Sequence, residues 1–177
     1  PFTTYHNSLD QSLYLRIADE LYLKRLIIGG FEKVYEIAKN FRNEGMDRNH
    51  NPEYTSLEYY EAYVDVYSMM DFTENMFRYV AEKTGELSFE YAGNKIDLSK
   101  PFKKKSMFDL LQEYAETDIA GMDVRALNEL ALSKSLELPE VMNYGQVLDK
   151  LFGEIVEPNL IEPIFVTDYP KAVSPLA

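Results

Sequence analysis

Between Phe41 and Tyr63 the chain reads FRNEGMDRNHNPEYTSLEYYEAY. A buried core strand has no use for an Arg, a Glu, a second Arg and a His set so close together. A site that holds a polyphosphate beside a cationic substrate does. Arg42 offers a planar fork of donors suited to phosphate or carboxylate oxygens. His50 can donate a hydrogen bond to the distal end of a triphosphate. Glu58 is an acceptor for an amine, with Tyr60 able to hydrogen-bond beside it, and Tyr54 presents a flat face on which an adenine ring can stack.

The elements that must position these groups follow from the alternation of residue types. From Lys33 to Glu44, Tyr35, Ile37 and Phe41 point one way in a strand, and Glu36, Asn40, Arg42 and Glu44 the other. In the return segment Tyr54, Ser56, Glu58, Tyr60 and Ala62 share one face, and Thr55, Leu57, Tyr59, Glu61 and Tyr63 the opposite one. Gly45 to Pro52 lies between them, rich in turn-forming residues and longer than a tight hairpin connection. Two antiparallel strands joined by a functional loop are therefore predicted, with Arg42, Glu44, Glu58 and Tyr60 collected on one face. Spacing alone equally allows a solvated hairpin with incidental ion pairs.

The pattern Phe-Arg-x-Glu, the loop with Arg48 and His50, and then Asn51-Pro52-Glu53-Tyr54-Thr55 resemble motif 2 of the class II aminoacyl-tRNA synthetases. The resemblance is closest to the lysine-specific branch, the lysyl-tRNA synthetases. It extends upstream through PFTTYHNSLDQSLYLRIADELYLKRLIIGGFEKVYEIAKNFRNEGM and reappears in EPNLIEPIFVTDYPKAVSPLA. It covers most of residues 1–100 and 140–177, and the segment between more loosely. Aspartyl and asparaginyl relatives share the Arg–Glu core without the combination of ELYLKRL and EYTSLEYYEAY.

The resemblance implies an α+β fold, part of a class II catalytic core with an antiparallel sheet flanked by helices. It implies activation of L-lysine by ATP to lysyl-adenylate, followed by transfer to tRNA(Lys). Arg42 would grip the α-phosphate and the lysine carboxylate as the catalytic residue. Glu44 would sit against the adenine end, His50 at the β- and γ-phosphates, and Asn51 would help frame the nucleotide. Tyr54 would stack on the base, where Phe is commoner in the family. Glu20, in a loop ahead of LYLKRLIIGG, would hold the α-amino group of lysine, and Glu58 with Tyr60 the ε-amino group. ATP would enter with Mg2+, for which no protein ligand is expected within this chain, and no organic cofactor is implied. The resemblance implies a homodimeric parent.

Two departures stand out. Positions 18–20 read Ala18-Asp19-Glu20, whereas Ala-Pro-Glu is frequent in the family; the carboxylate at 20 remains. The glycine-rich motif 3, motif 1 and the anticodon-binding domain have no counterpart in the sequence. The expectation is one partial catalytic domain over 1–177, with a motif 2 hairpin at about 31–63 and a helical insertion-like segment at about 86–142. As an internal piece it is expected to show little complete catalysis. Two other readings are a paralogue that transfers lysine to a protein and a non-catalytic amino-acid-binding module.

Composition narrows the classes further. The 177 residues are 46% hydrophobic, enough for a real core. There is no cysteine, hence no disulfide and no thiolate zinc site. No apolar run approaches the roughly 18 residues of a membrane span, no signal peptide is visible, and the cytoplasm is the default. With 30 acidic against 18 basic residues and a net charge of −12, this chain alone is a poor tRNA binder. Its basic cluster, Lys100 with Lys103-Lys104-Lys105, reads as a solvated loop ahead of a helix. Acidity near a lysine pocket favours capture of a cation. His6 is assigned a polar structural role, and with two histidines in all a transition-metal site is not expected.

The remaining sequence is largely helical in pattern. Val64 to Thr84 carries Val66, Met69, Met70, Phe77, Val80 and Ala81 near helical spacing, a stripe that reads as core packing, and Gly85 ends it. Glu86 to Leu98 reads as a small hairpin turning at Gly93-Asn94. Helices are predicted from a Ser106 cap to Ala115, over Asp123–Ser135 and over Tyr144–Ile155. A short buried strand is predicted at Ile164–Thr167.

Overall fold

The computed structural model describes residues 1–139 and 141–175, so Glu140 in the insertion-like segment and Leu176-Ala177 at the end of the C-terminal family-like stretch lie outside the described residues. The chain is α+β and divides into two compact units, Pro1–Val66 and Tyr67–Ala177. Among the described residues the strands pair as four two-stranded sheets, three antiparallel and one parallel.

The first unit opens with a hairpin of β1 (Thr3–His6) and β2 (Gln11–Tyr14). A 3-10 turn joins them, capped by His6, whose Nδ1 accepts from the Leu9 N–H at 3.2 Å. This is a structural use of that histidine, as the sequence reading assigns it. Helix α1 (Glu20–Ile28) then leads to β3 (Lys33–Phe41) and β4 (Glu53–Glu61), paired in register from Lys33 opposite Glu61 to Phe41 opposite Glu53. The hairpin is as expected, with two differences. Regular pairing stops at Phe41, so Arg42 and Glu44 sit in the loop mouth; Arg42 N–H still donates to Pro52 O at 2.9 Å. Glu20 is the first residue of α1 rather than a loop residue, where its charge complements the helix dipole.

Helix α1 covers one face of the β3–β4 pair, and Leu23, Ala38 and Asn40 are buried there. The covered face is the one bearing Glu36, Asn40, Ser56, Glu58 and Tyr60. The apolar alternates, Tyr35 at 73% and Ile37 at 66%, stand exposed on the other face. Polar residues point inward here because they meet one another, which alternation alone does not disclose.

In the second unit, α2 (Val66–Thr84) ends at Gly85, whose φ of 81° closes the helix. Its apolar stripe is only partly core: Ala81 is buried, and Met69 and Met70 half-buried, but Val66, Phe77 and Val80 are exposed. Phe77 instead meets Phe102 at a tilt of 51°, with ring centroids 6.2 Å apart. The small hairpin of β5 (Ser88–Tyr91) and β6 (Asn94–Asp97) turns one residue earlier than predicted, at Ala92-Gly93, both with positive φ. Asn94 is thereby freed to pair opposite Tyr91.

The basic cluster departs most from expectation. Lys103–Ser106 is a strand, β7, pairing in parallel with the apolar β8 (Ile164–Thr167). Its ammonium groups are matched by carboxylates: Lys103 with Glu162 at 2.6 Å, Lys104 with Asp71 at 3.0 Å, and Lys105 with Glu113. A run of like charge tolerates strand pairing when each charge has its own counterion nearby. Each pair is solvent-exposed and worth little singly.

Helix α3 (Met107–Ala115) begins at the predicted cap, Ser106 Oγ accepting from Asp109 N–H at 3.0 Å. Helix α4 (Val124–Ser133) is capped by Asp123, and α5 (Tyr144–Leu151) by a reciprocal capping box between Asn143 and Gln146. The last helix continues as a π-helical turn over Phe152–Val156. Met107, Leu110, Leu127, Val147, Leu148 and Leu151 form the heart of the core. The insertion-like segment thus contributes packing through α4.

Gly145 marks a close approach. A Cβ added there would lie 2.0 Å from the Ala172 carbonyl oxygen, whereas one added at Gly153 would meet nothing nearer than a side-chain oxygen at 3.9 Å. Gly145→Ala is expected to destabilise the chain by at least about 2 kcal/mol. Gly153→Ala should stay within about 1 kcal/mol of the parent. Urea unfolding of the two variants checks the contrast, and equal effects would refute the close approach.

Candidate functional site

The β3–β4 hairpin carries a cleft at its loop end with a volume of about 380 Å³, lined by Arg42, Glu44, Gly45, Asn49, His50, Asn51, Tyr54, Ser56 and Glu58. Period-2 alternation along β4 brings Tyr54, Ser56 and Glu58 onto one wall. The loop carries the rest. The residues predicted to meet a nucleotide, Arg42, Glu44, His50, Asn51 and Tyr54, therefore lie together, with Glu58 beside them.

The loop is organised by Asp47. Its Oδ1 accepts from the backbone N–H groups of Asn49 at 2.7 Å and His50 at 2.8 Å, and its carboxylate also meets His50 Nδ1 at 2.8 Å. Those backbone donors and the imidazole hold the Asp47 carboxyl below its ordinary range. Sequence reasoning passed over Asp47, although an Asx turn before Asn-His is a legible signal. Asn51 is used internally, its side-chain amide donating to Glu53 O.

Arg42 is positioned from two sides. Its Nε donates to the Ile17 carbonyl at 3.2 Å, and its guanidinium lies 5.4 Å from the centre of the Tyr54 ring. The cation therefore rests against the aromatic face on which a base would stack. A planar aromatic ligand on that face must share it with Arg42 or displace it.

At the other end of the covered face, Tyr60 O–H donates to Glu58 Oε2 at 3.1 Å. Burial first, then the hydrogen bond to Glu58 and the nearby carboxylates, push the Tyr60 phenol up to about 12. Glu20 lines a separate depression of about 580 Å³ with Arg16, Ile17, Leu21 and Tyr22, rather than the cleft that holds Arg42. Its carboxylate pairs with Lys24, and the Lys24 ammonium lies 5.9 Å from the centre of the Tyr60 ring. An amine of the chain itself thus stands between Glu20 and Tyr60, a feature the sequence reading missed.

Beneath this surface lies a polar cluster that sequence reasoning also missed. Asp19 is 0% and Asn40 1% exposed. Asp19 Oδ2 accepts from Ser56 Oγ at 3.2 Å and from the Asn40 amide at 3.4 Å, and the Asn40 amide also donates to Ser56 Oγ at 2.6 Å. Arg16 Nη1 lies 3.1 Å from Asp19 Oδ1 but is aligned on Glu36, to which it donates at 2.7 Å. That bond, above all, holds the Arg16 guanidinium above its ordinary range. Asp19 Oδ1 and Asn40 Oδ1 are left buried without a hydrogen-bond partner. Such acceptors cost about 1–3 kcal/mol each.

Among the described residues no group of three or more His, Asp or Glu is placed to hold a metal ion, and no helix is long and apolar enough to cross a membrane.

Residues 1–177 match the family model described as tRNA synthetases class II (D, K and N). The chain is 53% identical to the lysine–tRNA ligase of Aquifex aeolicus (strain VF5), over all of this chain and 30% of that protein. It is 52% identical to the lysine–tRNA ligase of Thermoanaerobacter sp. (strain X514), over all of this chain and 36% of that relative. The lysine–tRNA ligase of Christiangramia forsetii is 50% identical over 99% of this chain and 31% of its own length. The chain spans about a third of the length of these curated relatives.

The raised Tyr60 phenol sets a pH dependence. The folded state favours the neutral phenol, so the associated stability is fully present below the ordinary value of 10.0 and is lost as pH rises through about 12. Tyr60→Phe removes that contribution. The stability difference between the parent and this variant should shrink across that window, as measured by unfolding at a series of pH values. A difference that stays constant would show that the hydroxyl is not held as described.

Proposed function

The chain belongs to the class II tRNA synthetases (D, K and N), and from that membership we propose that it carries the motif 2 part of the catalytic domain of a lysine–tRNA ligase. The observation that carries the reading is the ordering of charge along one hairpin. The loop end presents Arg42 and His50 with the flat ring of Tyr54, and the β4 wall continues to Glu58 and Tyr60. A polyphosphate suits the first end and an ammonium group the second.

In this reading Arg42 neutralises the α-phosphate of ATP and aligns the lysine carboxylate. A carboxylate oxygen attacks the α-phosphorus, its bond to phosphorus forms, and the bond to the β-phosphate oxygen breaks to release pyrophosphate. No side chain forms a covalent intermediate; positioning and charge stabilisation lower the barrier. Glu44 and Asn51 frame the nucleotide, His50 meets its β- and γ-phosphates, and Tyr54 stacks on adenine. Glu20 takes the α-amino group, and Glu58 with Tyr60 the ε-ammonium. Magnesium would come with ATP as part of the substrate and would supply charge neutralisation at the phosphates, with no residue of this chain assigned to hold it.

The finer architecture belongs to the same proposal. The covered hairpin is motif 2, about 31–63, of a core whose antiparallel sheet is flanked by helices, and 86–142 is a helical insertion-like segment. The complete ligase acts as a homodimer in the cytoplasm, with tRNA(Lys) as the acceptor of the activated lysine. The relatives' names as lysine–tRNA ligases favour this over transfer of lysine to a protein and over a non-catalytic binding module.

Lysine-dependent ATP–pyrophosphate exchange by the complete ligase tests the roles. Arg42→Ala should lower the rate by at least about 100-fold, and a normal rate would remove Arg42 from the reaction. Glu58→Gln should raise the lysine KM by about tenfold or more, because it deletes the charge facing the ε-ammonium. An unchanged KM would place lysine recognition elsewhere. Calorimetric titration of the 177-residue chain with lysine, alone and with ATP and magnesium, measures how much of the pocket these residues form by themselves.

A further inference from the structure

Each member of the buried polar cluster lies one or two residues from a proposed substrate contact. Asp19 immediately precedes Glu20 at the start of α1. Asn40 is two residues before Arg42 on β3, and Ser56 is two residues before Glu58 on β4. The hydrogen bonds that join the three cross from the helix to both strands. Asp19 carries the charge in this arrangement and is fully buried, with Arg16 alongside its Oδ1. A buried carboxylate that binds three segments together sets their separation more tightly than apolar contact, since its acceptors have few alternative donors.

We propose that Asp19 is a positioning residue for lysine recognition, tying the start of α1 to β3 through Asn40 and to β4 through Ser56, and so fixing Glu20 relative to Glu58 and Tyr60. The two proposed amine sites then stand at a set separation, which is what distinguishes one diamino acid from a shorter or longer one. Asp19 acts through its neighbours and touches no substrate, its side chain being closed off from solvent. Ser56 is the bridge: its hydroxyl donates to Asp19 and accepts from Asn40. The inference rests on the lysine–tRNA ligase reading given above.

The test is lysine-dependent ATP–pyrophosphate exchange by the complete ligase, comparing lysine with ornithine. Asp19→Asn keeps the size of the side chain and removes the charge. It should raise the lysine KM by about tenfold and narrow the preference for lysine over ornithine by a similar factor, with the ATP KM moving less than about twofold. A purely structural loss would lower the active fraction instead, reducing kcat while leaving both KM values and the preference unchanged, and that outcome overturns the proposal. Ser56→Ala, which only removes the bridging hydroxyl, is the milder variant and covers a failure of Asp19→Asn to fold. It should raise the lysine KM about threefold. The double variant should be no worse than Asp19→Asn alone, because both act through one network; additive effects would refute it. A parent enzyme without lysine-dependent exchange defeats the functional reading itself. An active parent whose lysine KM and preference survive both substitutions defeats this inference alone.

Discussion

A carboxylate without solvent access is the constraint on which the first unit turns. Taking Asp19 out of water costs several kcal/mol, recovered only if its oxygens find donors and a counter-charge. Ser56 and Asn40 donate to its Oδ2 from β4 and β3, and Arg16, from the segment ahead of α1, stands 3.1 Å from its Oδ1 as the counter-charge. Once Asp19 is buried, the helix cannot slide along the hairpin without stranding a charge. Leu23 and Ala38, buried on the same face, supply apolar contact, which is non-directional and does not fix register in that way.

The hairpin above this cluster sorts charge along its length. Because side chains alternate with a period of two, a single face of β4 carries Tyr54, Ser56 and Glu58 in sequence, and the wide loop returns Arg42 to the same side. Arg42, His50 and Tyr54 gather at the loop end with Glu44 and Asp47, and Glu58 with Tyr60 stands toward the base, where Lys24 approaches the Tyr60 ring. Asp47 holds the loop through backbone donors, so His50 is presented by a fixed turn rather than by a free strand of chain. In the contact of Arg42 with Tyr54 the two groups satisfy each other, cation against π-face.

The second unit is built by different means. Its helices are started by local side-chain caps at Ser106, Asp123 and Asn143, and its core is a continuous apolar cluster. The lysine-rich β7 is held to β8 by backbone pairing, with each ammonium neutralised from another part of the unit. Nothing in that arrangement resembles the convergent charge of the β3–β4 cleft, which agrees with a packing role for the segment containing α4.

Much of the candidate site was legible from residue order because its signals are short-range. Alternation placed Glu36 and Asn40 on one face of β3 and Tyr54, Ser56 and Glu58 together on β4; Ser106 marked a helix start and Gly85 a helix end. Each depends on residues within a few positions of one another. The exposure of Tyr35 and Ile37, the strand at Lys103–Ser106 and the separate depression that takes Glu20 were not legible in that way. Residue order determined that a polar face exists; it did not determine that α1 would cover that face and leave the apolar one open. Asp19 shows the difference most plainly. As a residue in a sequence it is an ordinary acid beside Glu20. Only the folding of positions 19, 40 and 56 against one another, far apart along the chain, made it a buried charge, because burial and counter-charge are properties of the packed neighbourhood and not of local periodicity.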